Sequence, residues 1–474
     1  MPNLLEVILA VIIFAIPLYP KFPLTEVVGS YVNIRLDDVI IATSVFIWII
    51  YQLKNKVKVL KEPILWIFIA YWLALLSSAL NSISNHQIEP ISILLLHSFR
   101  RIEYMLVFFI AFDAIKTKNN LKFPLVFLCL ACIGVSIVGL GQKYLSWPIV
   151  STMNEEFSKG QLLYMSVWTR ISSTFAGHYD LATFMSVVLV IIGPVALLAK
   201  QKLAKIALLV TWLISFYTLT LTASRISIVA FWFSISLALF LIKKKLWIIP
   251  TSILIAFSIF NSAELSQRLL ATIPSLQKKL AFLQIERIVP TGTPIAVPTQ
   301  KIVFVPTGNI TKPAVQDPTV VQVPTAVPTP SRLRPDDFEY PKVDLDAGVA
   351  RSGEIRFKVE WPRAINAFLK NPLQGTGSGS ITLATDNDFL RILGETGLLG
   401  LISFLLIPVW FFVKTIKQKG DTVNHKLNYI FLCCIISMFA NAIFIDVFAA
   451  SKTAYMFWII MGIYYANLKF TKNA

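Results

Sequence analysis

The sequence predicts an all-α fold: a polytopic transmembrane helical bundle of about twelve spans, with a large extracytoplasmic loop containing amphipathic helices. Three observations carry this prediction. The 474 residues are 56% hydrophobic, with a mean hydropathy of +0.69, whereas soluble domains run at roughly 45–50% apolar. Apolar runs of about 18–22 residues recur, enough to cross a hydrocarbon core about 30 Å thick. The lysine-rich segments alternate with acidic or mixed ones between those runs, as the positive-inside bias requires.

The twelve runs centre near 4–19, 38–53, 63–81, 102–115, 123–145, 180–199, 206–222, 226–242, 246–260, 390–413, 427–445 and 453–469. The net charge of +17 sits in short segments between them: 54–62 (KNKVKVLKE), 116–122 (KTKNNLK), 200–205 (KQKLAK), 243–245 (KKK), 414–426 and the terminal KFTKNA. That distribution points to a cytoplasmic membrane protein with both termini inside, and away from nucleic acid. The first run lacks a charged leader and a small-residue cleavage signal, so it reads as a retained helix. Cys129, Cys132, Cys433 and Cys434 all fall within apolar runs and read as packed thiols, not as a metal site.

Residues 1–260 form helices one to nine, 261–389 the outer loop, and 390–474 helices ten to twelve. Within the loop, 262–288 have helical apolar spacing. Val-Pro-Thr then recurs at 289–291, 297–299, 305–307, 323–325 and 327–329, so 289–335 reads as an extended low-complexity insertion. Order resumes with an amphipathic helix within 349–380, ending at Asn371-Pro372 before a glycine-rich turn. Trp361, Ile365, Phe368 and Leu369 share one face, which suits the outer membrane surface, with membrane lipids as neighbours.

A charge at mid-membrane costs roughly 2.5–3.5 kcal/mol, so each needs a partner or a function. In WTRISSTFAGHYDLATF (168–184), Arg170 precedes a polar mouth with His178 and Asp180. In TLTASRISIVAF (220–231), Arg225 sits in a connection of almost no length. Arg351, Arg356, Lys358 and Arg363 surround the amphipathic helix. In ATDNDFLRILGETGLLGL (384–401), Asp386, Asn387 and Asp388 precede a helix in which Arg391 and Glu395, four apart, can pair. Gly394, Gly397 and Gly400 there permit the close approach of another helix. Arginines bind phosphates bidentately and a carboxylate can take a hydroxyl proton. The combination fits glycosyl transfer from a lipid-diphosphate donor.

DNDFLRILGETGLLGL resembles the signature of the O-antigen ligase and O-antigen polymerase superfamily of bacterial membrane glycosyltransferases. RFKVEWPRAINAFLKNPLQGTGSGS is similar to that family's arginine–tryptophan–"NPL-G-G-G" segment, and RISSTFAGHYDLATF and LTASRIS resemble two earlier blocks. The ordered set covers roughly residues 100–445. It implies an inverting glycosyltransferase without metal or cofactor. The substrates implied are a polyprenyl-diphosphate-linked glycan donor and a glycan or lipid-glycan acceptor, at the outer face of the cytoplasmic membrane. By position, Arg170, Arg225 and Arg356 would contact the diphosphate or its transition-state charge, and Asp386 would be the base where the family's ligases carry histidine. Asn387, His178, Arg351 and Trp361 are candidate substrate-binding residues. Ligase and polymerase both stay open, as do a flippase or transporter of lipid-linked saccharide and a glycan-binding sensor or scaffold.

Overall fold

The computed structural model describes residues 3–26, 33–86, 88, 91–150, 162–164, 170–261, 355–381, 384–418 and 420–472. The stretch expected to be helical at 262–288, the 289–335 insertion and Arg351 lie outside these residues. The described residues are mostly helical: α1 (Leu4–Leu18), α2 (Leu36–Lys54), α3 (Pro63–Ser84), α4 (Ile91–Ala114), α5 (Lys122–Tyr144), α6 (His178–Leu198), α7 (Lys202–Leu221), α8 (Arg225–Leu241), α9 (Ile248–Asn261), α10 (Trp361–Lys370), α11 (Asp388–Ile416), α12 (Val423–Ala442) and α13 (Ser451–Lys472). Short antiparallel pairs, β1 (Pro23–Glu26) with β2 (Asn33–Arg35) and β3 (Ile149–Val150) with β4 (Leu162–Leu163), lie between helices.

Every apolar run of the sequence is helical, and α10 occupies the middle of the expected amphipathic segment. Among the described residues, seven helices, α2, α3, α5, α6, α7, α11 and α12, are long and apolar enough to cross a membrane; α1, α8 and the 245–261 helix are apolar but shorter. α4 and α13 have the length but carry charges along it. Local chemistry sets several boundaries. α1 opens with a capping box in which the Glu6 amide donates to Asn3 Oδ1 (3.0 Å) and the Asn3 amide to Glu6 Oε2 (3.2 Å). The acid at the start of the first run therefore satisfies orphan helix donors.

The fourth span differs from its expected 102–115. The helix begins at Ile91 and carries Arg100 and Arg101 inside. Both charges are met by protein: Arg100 donates to both oxygens of Asp38 in α2 (3.0 and 2.9 Å), and Arg101 pairs with Glu395 in α11. Glu395 is fully buried. Its partner in the structure is this cation from α4, where local spacing had suggested Arg391.

α6 is buried almost all round, as a helix apolar on every side should be, and α13 is buried nearly as fully despite carrying Lys452 and Asn467. Phe68 of α3 anchors an aromatic core with Phe108 and Phe109 of α4 and Trp458 of α13, at centroid separations of 4.8, 5.1 and 5.4 Å. The periphery is apolar too: Phe46, Trp66, Leu80, Phe233, Phe240 and Val409 are exposed. So extensive an exposed apolar surface suits a bilayer and would be a liability in water.

α11 is broken at Gly397, whose φ of 64° and ψ of −165° lie where essentially only glycine goes. The turn after α10 fills the gap in its backbone ladder. Thr376 N donates to the Gly394 carbonyl (3.0 Å) and Gly377 N to that of Glu395 (2.9 Å), which also accepts from Ser78 Oγ (2.6 Å). In return, Leu398 N and Leu399 N donate to the carbonyls of Pro372 (2.9 Å) and Leu373 (3.2 Å). Gly394 meets the expected close approach of another helix, while Gly397 serves a different purpose. Gly394 admits the Ala364 carbonyl of α10, and Gly397 admits the backbone of Leu373 and Gln374. A Cβ at Gly397 would lie 2.4 Å from the carbonyl carbon and oxygen of Leu373. Gly397→Ala is therefore expected to destabilise the protein by about 2–4 kcal/mol, read as a lower melting temperature in detergent.

Candidate active site

Three arginines far apart in sequence meet around one tyrosine. Arg170 lies in the segment before α6, Arg225 is the first residue of α8, and Arg356 opens a π-helical segment, Arg356–Glu360, that runs into α10. The guanidinium carbons of Arg170 and Arg356 stand 5.8 and 5.9 Å from the centre of the Tyr179 ring in α6, within cation–π range. Both also hydrogen-bond the tyrosine, and Arg225 interacts electrostatically with all three residues. Arg170 additionally bonds His178 Nε2, and the His178 ring packs on Tyr179 at 4.1 Å between centroids. Arg225 is aimed by a tight connection. Ala223 takes a left-handed φ of 50°, while Ser227 in the first turn of α8 donates to Asn441 Oδ1 of α12 (2.7 Å).

Asp386 faces Arg356 from the other side. The Arg356 side chain is buried; its Nε donates to Asp386 Oδ2 (2.8 Å), and its terminal nitrogen lies 2.7 Å from the same oxygen. Asp386 itself has a left-handed φ of 50°, uncommon outside glycine but most accessible to Asp and Asn. The turn is held from outside by Asp446, in the α12–α13 connection. Asp446 accepts from Thr385 N (2.8 Å) and Asn387 N (3.2 Å) and pairs with Arg391 (3.3 Å). Asp388 reaches the same connection, accepting from Phe448 N (3.0 Å). Asn387, a candidate for substrate binding, is the N-cap of α11: its Oδ1 accepts from Leu390 N (3.0 Å). The Thr385 hydroxyl accepts from Arg391 Nε (3.3 Å).

Trp361 sits at the start of α10 between Phe357 (centroids 4.7 Å, interplanar 69°) and Phe444 at the end of α12 (6.1 Å, 35°). It fastens the arginine-bearing segment to the bundle and lies one residue from Glu360. Burial pushes the Glu360 carboxyl up to about 7, with Asp386 and Asp446 adding to the effect and Arg356 and Arg363 opposing it. Burial also raises Asp386 above its ordinary value, outweighing Arg356.

The segment carrying Arg170 is pinned by Lys452 in the first turn of α13. This fully buried ammonium donates to the carbonyls of Pro17 (3.0 Å), Tyr19 (2.6 Å) and Thr174 (2.7 Å), and lies 4.9 Å from the Phe175 ring centre. The structure thus unites Arg170, Arg225, Arg356, Asp386 and His178, and gives Asn387 and Trp361 structural contacts beside them. Sequence reasoning missed Tyr179, Glu360, Asp446 and Lys452. Tyr179 lay inside a quoted stretch between two singled-out residues, and Asp446 is a carboxylate one position past an apolar run. Among the described residues, no group of three or more His, Cys, Asp or Glu side chains could hold a metal ion.

The cluster combines three cations with a carboxylate, which suits an anionic ligand and a proton transfer next to it. Residues 209–405 match the family model described as O-antigen ligase, a span that includes Arg225, Arg356 and Asp386. No curated protein matches the chain.

Proposed function

We propose that this member of the O-antigen ligase superfamily transfers or polymerises glycans from a polyprenyl-diphosphate-linked donor at the outer face of the cytoplasmic membrane. The superfamily and the apolar helices make it a multi-pass membrane protein of polysaccharide biosynthesis, with an O-antigen ligase-like, glycosyltransferase-like activity. The observation that carries the finer reading is the convergence of Arg170, Arg225 and Arg356 on Tyr179, with Asp386 against Arg356. Planar guanidiniums match phosphate oxygens two at a time. In this reading they hold the diphosphate and neutralise the charge that develops as the bond between the anomeric carbon and the diphosphate oxygen breaks. The acceptor hydroxyl attacks from the opposite face, inverting that carbon, and its proton passes to a carboxylate. Both termini and the lysine-rich segments lie on the cytoplasmic side and the 261–389 segment outside.

The test is reconstitution in proteoliposomes with a polyprenyl-diphosphate oligosaccharide and a glycan acceptor. Glycan transfer with release of polyprenyl diphosphate is expected. Arg225→Ala and Arg170→Ala should each lower kcat/KM by about 10²–10³-fold. Translocation of the intact lipid without release would mean a flippase and would overturn the proposal.

A further inference from the structure

One acidic group at the site is left unused by this reading. Glu360 closes the π-helical segment that Arg356 opens. The two side chains are four residues apart, so they project on the same side. Segments with this wide turn recur at functional positions. Both residues interact with Asp386. Asp386 Oδ2 is committed to Arg356 through two nitrogens. Glu360 Oε2 is buried and has no hydrogen-bond partner among the described residues, a costly state that a bound proton or a ligand hydroxyl relieves. The charged groups facing Glu360 are Asp386 on the turn before α11, Asp446 on the α12–α13 connection, and Arg356 and Arg363 on its own stretch of chain.

We propose that Glu360 and Asp386 act as one base. The acceptor O–H bond breaks as its oxygen bonds to the anomeric carbon, the diphosphate leaves with the electron pair, and the proton is held between the two carboxylates. Asp386 orients Arg356 and Glu360 carries the proton. The inference rests on the glycosyl-transfer reading above. Neighbouring carboxyls with unlike surroundings divide acid–base work, and a base titrating close to the working pH is the most effective one. Glu360, raised to about 7, meets that condition. The ionised form is the active one, so the rate falls as pH drops through that value.

The test is the pH profile of polyprenyl diphosphate release by the reconstituted full chain. Wild type should show an inflection near pH 7. Glu360→Gln should lose that inflection and run about 10- to 100-fold slower above it, with the donor KM unchanged because Arg356 keeps its partner. Glu360→Asp should restore an inflection. A Glu360→Gln enzyme that keeps the inflection, or a wild type that lacks it, would overturn the shared base and leave the glycosyl-transfer reading standing. A wild type that releases no polyprenyl diphosphate would overturn both.

Discussion

Asp386→Asn lowers turnover by about 10²–10⁴-fold while leaving the melting temperature nearly unchanged. Two features of the turn separate chemistry from stability here. Asparagine tolerates the left-handed backbone of position 386 almost as well as aspartate does, and its amide oxygen can still accept from Arg356 Nε. The braces that hold the turn, Asp446 on the amides of Thr385 and Asn387, do not involve the substituted side chain. What disappears is the negative charge that orients the buried Arg356 and supports the proton held by Glu360. Asp386→Ala should be slower still and less stable, because nothing then accepts from Arg356 Nε and alanine fits the left-handed backbone less well. In wild type, burial holds the Asp386 carboxyl above its ordinary value, so the ionised form is lost earlier than for a free aspartate as pH falls. Single-turnover rates in proteoliposomes, beside melting curves of the same preparations, measure both effects. Full rate in Asp386→Asn would remove this residue from the reaction.

Lys452→Met is expected to lower stability by about 3–5 kcal/mol, the scale for leaving three buried carbonyls without their shared donor. On the per-residue entropy known for soluble domains, that is a fall in melting temperature of roughly 3–5 °C for a chain of this length. Methionine fills similar space but donates nothing. The carbonyls of Pro17, Tyr19 and Thr174 would each lose a donor inside the protein, at about 1–3 kcal/mol apiece, offset by no longer having to desolvate an ammonium. Because Thr174 and Phe175 belong to the segment that presents Arg170, donor binding should weaken together with stability. A thermal scan in detergent and a donor titration read the two losses. An unchanged melting temperature would mean that the three carbonyls are satisfied another way.

The architecture was legible where the signal is local. Apolar runs become helices because an unsatisfied backbone is too costly in lipid, and every run read from the sequence is helical. Arg170 and Arg225 were legible as charges in costly places, and Arg356 through the family resemblance. What failed were partnerships across long separations. Glu395 was assigned to Arg391, four residues away, while the structure supplies Arg101, 294 residues distant. The start of α4 was placed too late because Arg100 and Arg101 read as loop residues until Asp38 and Glu395 are seen beside them. Glycine spacing suggested a helix–helix contact, but periodicity carries no trace of a backbone break filled by another segment. Tyr179 and Lys452 were hidden for a similar reason: neither Tyr179, between His178 and Asp180, nor Lys452, between Ser451 and Thr453, shows in its local sequence what the fold brings against it.

The break in α11 also bears on how this protein can change over evolutionary time. Gly375, at a φ of 71°, would place a Cβ 2.4 Å from the backbone of Glu395, just as Gly397 would strike Leu373. The two glycines lie on opposite sides of one seam and are heritable as a single character. Replacing either spoils the fit of the other's segment, and no second substitution on the same side can restore it. Drift along this stretch is therefore expected to exchange the turn and the helix break together.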